Sequence, residues 1–279
     1  MVILGLLTAL MVCFDATLYR AFFYNPDHIT TRYEQIRDPS IPKSMSQVSI
    51  VFLTDIEYSQ PDFSNEKAEA LFAQVRKLNP DVLLIGGDLF AWNCEVSDTL
   101  QDRMANWLSS IPTPLGKFAV FGEQDLVDEA HQHAVEDVYR RSQIELINNA
   151  SILLANQSAE GIRLGGLNVS ADPNALIPAF VPEQFCLLLS HYPDNLLQAS
   201  NAGLNADYAL AGNSHGTQIN WPIFGGYKEF DGSLQIDRDK QKRLSFGYTI
   251  SSGIGCIDVQ ARLNAPVEIL YLTLYNPQA

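Results

Sequence analysis

Cysteine pairs and positive charge are both scarce in this sequence, and each scarcity excludes a class of function. The four cysteines are widely spaced and form no Cys-x-x-Cys pair. Zinc-finger and thioredoxin-like chemistry are therefore unsupported, and buried free thiols are favoured over a disulfide. Lys and Arg total 18 against 32 Asp and Glu, which gives a net charge of -14. Nucleic-acid phosphates would be repelled over most of such a surface, so nucleic acid is not an expected partner.

Internal repeats, low-complexity tracts and the Gly-x-Ser-x-Gly turn of serine hydrolases are also missing. Ser190, which directly precedes a histidine, therefore does not indicate a serine nucleophile. Apolar residues make up 47% of the 279 residues and charged residues 18%, which is typical of a globular chain. A chain of this length forms one large α/β domain or two small ones.

The N-terminal segment is a long apolar run. Val2 to Phe14 is apolar apart from two residues, and the run extends to Tyr19 if two polar residues are tolerated. That length is marginal for crossing a bilayer, which takes about 20 residues. No positive residue precedes the run and no clear cleavage site follows it, so it does not resemble a cleavable signal peptide. Arg20 and an aromatic pair follow at once, as in an interfacial anchor.

These features predict three parts in the chain. We expect residues 1–24 to form a membrane-anchoring helix, with a helix packed on the domain as the alternative. Residues 25–47 are polar and contain three prolines, which predicts a linker. Residues 48–279 are expected to form the main globular domain. The orientation of the anchor is left open, because the nearby positive side chains lie on its C-terminal side.

Five short apolar runs in the remainder each end in a cluster of polar residues. The runs are residues 48–54, 82–85, 118–121, 185–190 and 208–211. Apolar runs of this length without alternation are typical of strands that are covered on both faces.

Helical patterns lie between the strands. Residues 65–78 place Ala68, Leu71, Phe72, Val75 and Leu78 on one stripe, with Ser64 as the expected N-cap. Two more helices are predicted, one around Leu100, Met104 and Leu108 and one around Val127, Ala130, Ala134 and Val138. Strands alternating with helices imply parallel pairing, and ligands of such sheets bind beyond the carboxyl ends of the strands.

The polar clusters at those strand ends are rich in metal-binding residue types. They contain Asp55, Glu57, Asp88, Glu123, His191, Asn213 and His215. One such residue alone is more often a helix cap or a hydrogen-bonded structural residue than a ligand. Five clusters of matching chemistry at equivalent strand ends favour a metal site. Oxygen ligands with a minority of imidazole suit Mn²⁺, Fe²⁺ or Mg²⁺ better than a thiolate metal.

The order of these motifs resembles that of the calcineurin-like metallophosphoesterases, in particular their membrane-associated bacterial branch. The likeness runs from about Val48 to the C-terminus and is strong in three segments, residues 78–90, 187–195 and 207–222. It implies an α/β fold that is a four-layer α/β/β/α sandwich of two mixed sheets flanked by helices. It also implies hydrolysis of a phosphomonoester or phosphodiester by water activated by two metal ions. The expected substrate is a phosphorylated small molecule or lipid, and the expected location is the bacterial cell membrane.

The resemblance also implies the metal ligands. One metal would be held by Asp55, Glu57, Asp88 and His215, and a second by Asp88, Glu123, His191 and Asn213. Asp88 would therefore bridge two divalent cations. Mn²⁺ is the expected metal, with Mg²⁺, Fe²⁺ and Zn²⁺ as alternatives.

The sequence departs from the family pattern at four positions. Glu57 and Asn213 replace histidines, Glu123 replaces an asparagine, and Gln124 replaces the catalytic histidine. The first three replacements keep an oxygen that can bind a cation, whereas an amide cannot supply a proton to a leaving group. We therefore expect a phosphoesterase whose activity is reduced. The alternative is an impaired family member that binds a phosphorylated ligand or a partner protein.

Several further residues have two interpretations. Asp125, which in the family orients the catalytic histidine, is expected to be the N-cap of a helix that begins near Leu126. His131 and His133 are expected to be solvated side chains on that helix. Trp221, Phe224 and Tyr227 follow the last motif and would line either a substrate rim or the core.

Overall fold

The computed structural model describes residues 1–59 and 63–279, and it begins with a long exposed helix. The helices are α1 (Val2–Tyr19), α2 (Asn65–Leu78), α3 (Asp98–Ser109), α4 (Glu129–Arg141) and α5 (Pro193–Asn201). A π-helical turn, Arg20–Tyr24, extends α1. Within the described ranges, the combined helix is the only one long and apolar enough to cross a membrane, a property that signal sequences share. Its side chains are almost all exposed.

The strands form two sheets and one small hairpin. In chain order they are β1 (Ile29–Arg37), β2 (Ser49–Leu53), β3 (Val82–Ile85), β4 (Lys117–Ala119), β5 (Ile144–Leu146), β6 (Ala150–Ala155), β7 (Gly161–Leu167), β8 (Cys186–Ser190), β9 (Tyr208–Ala211), β10 (Asn220–Trp221), β11 (Gly225–Gly226), β12 (Gly247–Ile250) and β13 (Val267–Tyr275). The first sheet has the order β1-β13-β2-β3-β4-β5 and the second has the order β12-β9-β8-β7-β6. Both sheets are mixed, because β13 runs antiparallel to β2 and β6 runs antiparallel to β7.

The core has three parts, and together they define four layers. Helices α2, α3 and α4 cover one face of the first sheet, where Val51 and Leu83 are buried. The opposite face, with Phe52 and Leu84, packs against the second sheet. The outer face of the second sheet is covered by α5 and by irregular chain. The predicted α/β/β/α sandwich is confirmed, and burial on both faces explains why the strands are continuously apolar.

Residues 29–37 contradict the prediction that the segment 25–47 is a linker. They form β1, which pairs in parallel with β13 along its whole length, from Ile29 opposite Val267 to Arg37 opposite Tyr275. Ile41 and Met45, further along the same segment, are fully buried. The sequence of β1 is polar because β1 is an edge strand in which Ile36 is the one buried side chain. Its backbone partners come from the other end of the chain.

The helix predictions hold except at the start of α4. Helix α2 begins after Ser64, whose hydroxyl accepts a hydrogen bond from the backbone N–H of Lys67 at 3.2 Å. Helix α4 begins at Glu129 instead of near Leu126, and Asp128 is its N-cap. Val127 lies before this helix and is exposed.

The structure also corrects the predictions for His131 and for the burial of the cysteines. His131 is buried, and its ring nitrogens lie 3.0 Å from Asp128 Oδ1 and 3.3 Å from the Ala91 carbonyl oxygen. His133 is exposed, as predicted. All four cysteines are free thiols, but only Cys186 is fully buried and Cys13 is exposed on α1.

Candidate metal centre

The loops that follow β2, β3, β4, β8 and β9 meet at one end of the two packed sheets. Asp55, Asp88 and His191 come from three of these loops, and one ligand atom of each lies within 4.8 Å of the others. All three side chains are buried. The motifs of the two sheets therefore join in a single site, as expected for the carboxyl ends of strands.

Several of the residues that follow the strands have left-handed backbone conformations. The φ angles are 52° for Asp55, 49° for Glu57, 56° for Asp88, 59° for Asn213 and 46° for His215. Such angles are uncommon outside glycine, and they persist only where the surrounding structure enforces them. Strained residues concentrate at functional sites, and here the strain falls on five of the seven predicted ligands.

Gly122 allows two of the loops to approach closely. A Cβ at this position would lie 2.0 Å from Asp88 Oδ1 and 2.7 Å from His191 Cε1. Any larger residue would therefore push the Asp88 carboxylate and the His191 ring out of the site.

Asp88 lies at the centre of the site. Its Oδ1 accepts a hydrogen bond from the backbone N–H of Gln124 at 2.9 Å, and its Oδ2 lies 3.5 Å from His191 Nε2. Both oxygens of Asp55 accept from the backbone N–H of Asn213, at 3.1 and 3.0 Å. Burial raises the pKa of Asp55 and raises the pKa of Asp88 well above its usual value.

His191 is oriented by a backbone carbonyl. Its Nδ1 lies 2.6 Å from the Gly86 carbonyl oxygen, so Nδ1 carries the proton and Nε2 faces the carboxylates. Nε2 lies 2.6 Å from Glu123 Oε2. Burial lowers the pKa of His191, but the neighbouring Asp88 and Glu123 carboxylates outweigh it and raise that pKa well above its usual value. The same pairing lowers the pKa of Glu123 in spite of its burial.

Glu57 and His215 form a second buried pair. His215 Nε2 lies 3.3 Å from Glu57 Oε1. Among the described residues, the other carboxylate oxygen, Glu57 Oε2, has no hydrogen-bond partner. An unpaired buried carboxylate oxygen is costly, and this one indicates a missing partner with positive charge.

Arg262 supports His215 from behind, a contact that motif reasoning missed. It is fully buried, and its guanidinium donates to the carbonyl oxygens of Gly255 and Ser252. Its Nη2 lies 3.4 Å from His215 Nδ1. The segment around Arg262 resembles the family's closing strands, but the local sequence does not predict its contacts, because its partners lie on separate loops.

Asn213 is in the site, but its side-chain NH2 group is already hydrogen-bonded to a backbone carbonyl. Its side-chain Nδ2 donates to the backbone oxygen of Asp231 at 2.6 Å. The amide nitrogen is therefore directed away from the carboxylates and toward the loop that contains Asp231.

Gln124 lies between the carboxylates. Its side-chain Nε2 donates to Glu57 Oε1 at 2.5 Å and to Asp88 Oδ2 at 3.1 Å, and its Oε1 accepts from the backbone N–H of Trp92 at 2.8 Å. The amide therefore links two candidate ligands to the loop after β3.

Asp125 is a backbone acceptor in the core of the site and not a helix N-cap. Its carboxylate accepts from the backbone N–H groups of Asp88 at 3.0 Å, Leu89 at 2.9 Å and Gly122 at 2.8 Å. Asp125 therefore joins the Asp88 loop to the Gly122 loop. The prediction that it caps a helix near Leu126 is wrong, because the carboxylate points into the site.

The charge of the site is unbalanced. Asp55, Glu57, Asp88 and Glu123 supply four carboxylates, and the two histidines supply at most two positive charges. Carboxylates this close together in a buried site favour a bound cation or protonation. The donor set therefore fits divalent cations with a preference for oxygen ligands.

A cavity of about 500 Å³ opens beside Glu123 and Gln124. Trp92, Tyr192 and Phe230 line it, and the sequence patterns did not single out any of these three. Two of the three aromatic residues suggested for a substrate rim, Trp221 and Phe224, lie elsewhere. Trp221 lines a different cavity, and Phe224 is 86% exposed at a hairpin tip.

Known proteins with similar sequences bear on the class of this chain. No protein-family model matches it. It is 26% identical over 246 residues to an uncharacterized metallophosphoesterase of Aquifex aeolicus. The aligned region covers 86% of this chain and 89% of the relative. It is 25% identical over 280 residues to the uncharacterized protein YpbG of Bacillus subtilis, covering 99% of this chain and 98% of the relative. The UDP-2,3-diacylglucosamine pyrophosphatase LpxG of Chlamydia trachomatis is 24% identical over 238 residues, covering 66% of this chain and 70% of the relative.

The ordered motifs, the two-sheet sandwich and these relatives agree. They support a calcineurin-like metallophosphoesterase family for this chain. The names of the relatives are consistent with a hydrolase of phosphoric esters, a class that implies divalent metals.

Proposed function

We propose that the chain is a membrane-anchored phosphoesterase in which two divalent cations bind among the buried carboxylates and histidines. The observation that carries this proposal is the unpaired buried oxygen Glu57 Oε2 beside the cluster of Asp55, Asp88 and His191. A cation among these side chains would satisfy this oxygen and offset the carboxylate charge.

The two proposed ligand sets share Asp88. One contains Asp55, Glu57, Asp88 and His215, and the other contains Asp88, Glu123, His191 and Asn213. Glu57 and Glu123 make both sets richer in carboxylate than the family pattern implies. Mn²⁺ or Mg²⁺ is favoured over zinc for that reason.

The side chains of this site would bind the metal ions and orient one another. Two bound divalent cations would supply the activation of water and the neutralisation of phosphoryl charge. The Gly86 carbonyl holds the proton of His191 on Nδ1, which directs Nε2 toward Asp88 and Glu123. The Gln124 amide donates to Glu57 and Asp88, and it has no proton to give to the leaving group.

We propose a lipid-linked phosphoester or pyrophosphate as the substrate. The exposed apolar helix α1 would hold the site close to a bilayer. One relative is named for the hydrolysis of a diacylated sugar nucleotide. The cavity next to Gln124 adds apolar and aromatic surface, from Trp92 and Phe230, that suits a substrate with a large apolar part.

The test is metal content and turnover of the full chain in nanodiscs. With Mn²⁺ we expect about two ions per chain, thermal stabilisation and hydrolysis of p-nitrophenyl phosphate or its bis-ester. Asp88→Asn withdraws the shared carboxylate and should abolish both metal binding and turnover. Asp98→Asn, the same change on the exposed face of α3, is the matched control and should alter neither. A wild type that binds well under one ion after loading would overturn the proposal.

A second function has one observation in its favour. Gln124 replaces the residue that would protonate the leaving group, and its amide bonds two of the candidate ligands. A protein that binds Mn²⁺ and is stabilised by it, yet turns over neither aryl ester, would be a binding protein for a phosphorylated ligand.

A further inference from the structure

The small hairpin of β10 and β11 exposes two large apolar side chains at its tip. Ile223 is 87% exposed and Phe224 is 86% exposed, more than any large apolar side chain of α1. The tip is a three-residue loop closed by Gly225, whose φ of 77° is the left-handed conformation expected at this position of a hairpin. The fold therefore presents these side chains on a defined turn.

The hairpin is bonded to the segment 262–264. The backbone N–H of Asn220 donates to the Leu263 carbonyl oxygen at 2.8 Å. The Asn264 side chain donates to the Asn220 carbonyl oxygen at 2.7 Å. The base of the hairpin is thus held to the body of the domain from the Leu263 side.

The C-terminal end of the exposed helix is bonded to the same segment. The backbone N–H of Arg262 donates to the Ala21 carbonyl oxygen at 2.8 Å. The Asn25 side chain donates to the Arg262 carbonyl oxygen at 2.8 Å. One short segment therefore supports both the helix exit and the hairpin, which fixes their relative positions.

The helix exit and the hairpin also face each other across a cavity of about 360 Å³. Thr17 and Arg20 line it from the helix, and Trp221 and Pro222 line it from the hairpin. Tryptophan and arginine are typical of the membrane–water interface, where one part of each side chain is apolar and another is solvated.

We propose that the hairpin tip is a second membrane contact, in which Ile223 and Phe224 enter the same bilayer leaflet in which α1 ends. This inference rests on the proposed function through the anchoring role of α1. A bilayer fits better than a partner protein because two side chains bury roughly 400 Å², whereas stable protein interfaces bury about 1,200–2,000 Å². The tip also adjoins the end of α1, where the proposed anchor would place lipid.

The contact has a consequence for the substrate. Phe230, which lines the cavity beside Gln124, lies six residues after Phe224. Six residues of chain span at most roughly 20 Å. A second contact prevents the domain from rotating freely about α1, and it holds this cavity near the bilayer surface. The favoured substrates are phosphoesters whose lipid part stays in the membrane.

The experiment is photo-crosslinking of the full chain in phosphatidylcholine nanodiscs that each hold one chain. The photoreactive residue p-benzoyl-phenylalanine is placed at position 224, at position 223, or at position 153 as the control. Leu153 is an apolar side chain of β6 that is 46% exposed and lies on the edge strand of the second sheet opposite β12. After illumination, mass spectrometry separates lipid adducts from protein adducts.

We expect lipid adducts at positions 223 and 224 in severalfold excess over position 153. Equal yields at all three positions would overturn the proposal, and so would adducts to protein in place of lipid. The crosslink requires neither bound metal nor turnover, so its failure is separate from failure of the phosphoesterase proposal. Turnover of p-nitrophenyl phosphate by the same samples reports on the latter alone.

Discussion

Gln124 is the side chain whose chemistry differs most from what phosphoester hydrolysis needs. Its amide holds Glu57 and Asp88 together and accepts a hydrogen bond from Trp92. These contacts suit a residue that organises the site. They do not supply the proton that an alkoxide leaving group requires.

Gln124→His should selectively accelerate the cleavage of alkyl esters. A positioned general acid contributes about 10²–10⁴-fold, mainly for poor leaving groups. Asp125 already accepts three backbone N–H groups, so it has little capacity left to orient an imidazole, and we expect the low end of that range. The measurement is the ratio of alkyl to aryl kcat/KM with saturating Mn²⁺.

Gln132→His is the control for this substitution, because it makes the same change on α4. It should leave the alkyl-to-aryl ratio at the wild-type value. An unchanged ratio in the Gln124 variant, with substantial turnover, would mean that another group supplies the proton.

Among the secondary-structure elements, β1 shows that the folded domain begins earlier than the predicted residue 48. The strand pairs with β13 over its full length, and the segment after it buries Ile41 and Met45. Removing this segment would expose the edge of β13 and a row of unpaired backbone groups, which is a template for aggregation. The globular unit therefore begins close to Asn25, before β1.

Two truncated chains test this boundary. A chain that starts at Asn25 should be folded without detergent, whereas one that starts at Ser46 should be strongly destabilised and aggregate. Fully burying one large apolar side chain contributes about 1.5–3 kcal/mol. Losing Ile36, Ile41 and Met45 thus removes a large share of a typical stability of about 5–15 kcal/mol.

The measurement is urea unfolding followed by circular dichroism, together with sedimentation. The full chain in nanodiscs provides the reference stability. Equal urea midpoints for the two truncated chains would mean that residues 25–45 act as a linker after all.

The whole molecule carries a net charge of -14, and the candidate site concentrates part of that charge in its interior. Such a site couples stability to pH and to metal. Burial raises the pKa of Asp55 and of Asp88 above the usual 3.8. Nearby carboxylates raise the pKa of His191 and of His215 above 6.5, although burial opposes them.

The signs of these shifts agree. A carboxyl group with a raised pKa in the folded state costs stability once pH exceeds its unfolded pKa. A histidine with a raised pKa contributes stability below about 6.5, and that contribution is lost as pH rises through the folded pKa. The metal-free protein should therefore become less stable between pH 6 and pH 8. Metal ligands must be deprotonated, so stabilisation by Mn²⁺ should grow over the same range.

The measurement is the melting temperature of the full chain at pH 6, 7 and 8, with Mn²⁺ and with a chelator. Asp88→Asn should lose most of the Mn²⁺-dependent difference at every pH. A difference in the wild type that shrinks as pH rises would contradict the assignment of these residues as metal ligands.

Local sequence determined the elements that carry the site. Helix α2 begins after Ser64 and ends at Leu78 as its periodicity and cap predicted. The apolar runs before Asp55, Asp88 and His191 became strands, because burial on both faces of a sheet leaves a continuous apolar pattern that neighbouring residues alone reveal.

Only the tertiary structure decided which distant residues meet. Polar β1 is a strand because β13, from the other end of the chain, supplies its hydrogen bonds. Asp125 looks like a helix cap in the sequence, yet its oxygens are taken by backbone N–H groups of other loops. Packing of the two sheets likewise puts Trp92 and Tyr192 in one cavity. Hydrogen bonding and packing between separate segments leave no local periodicity, and for that reason these features were absent from the sequence patterns.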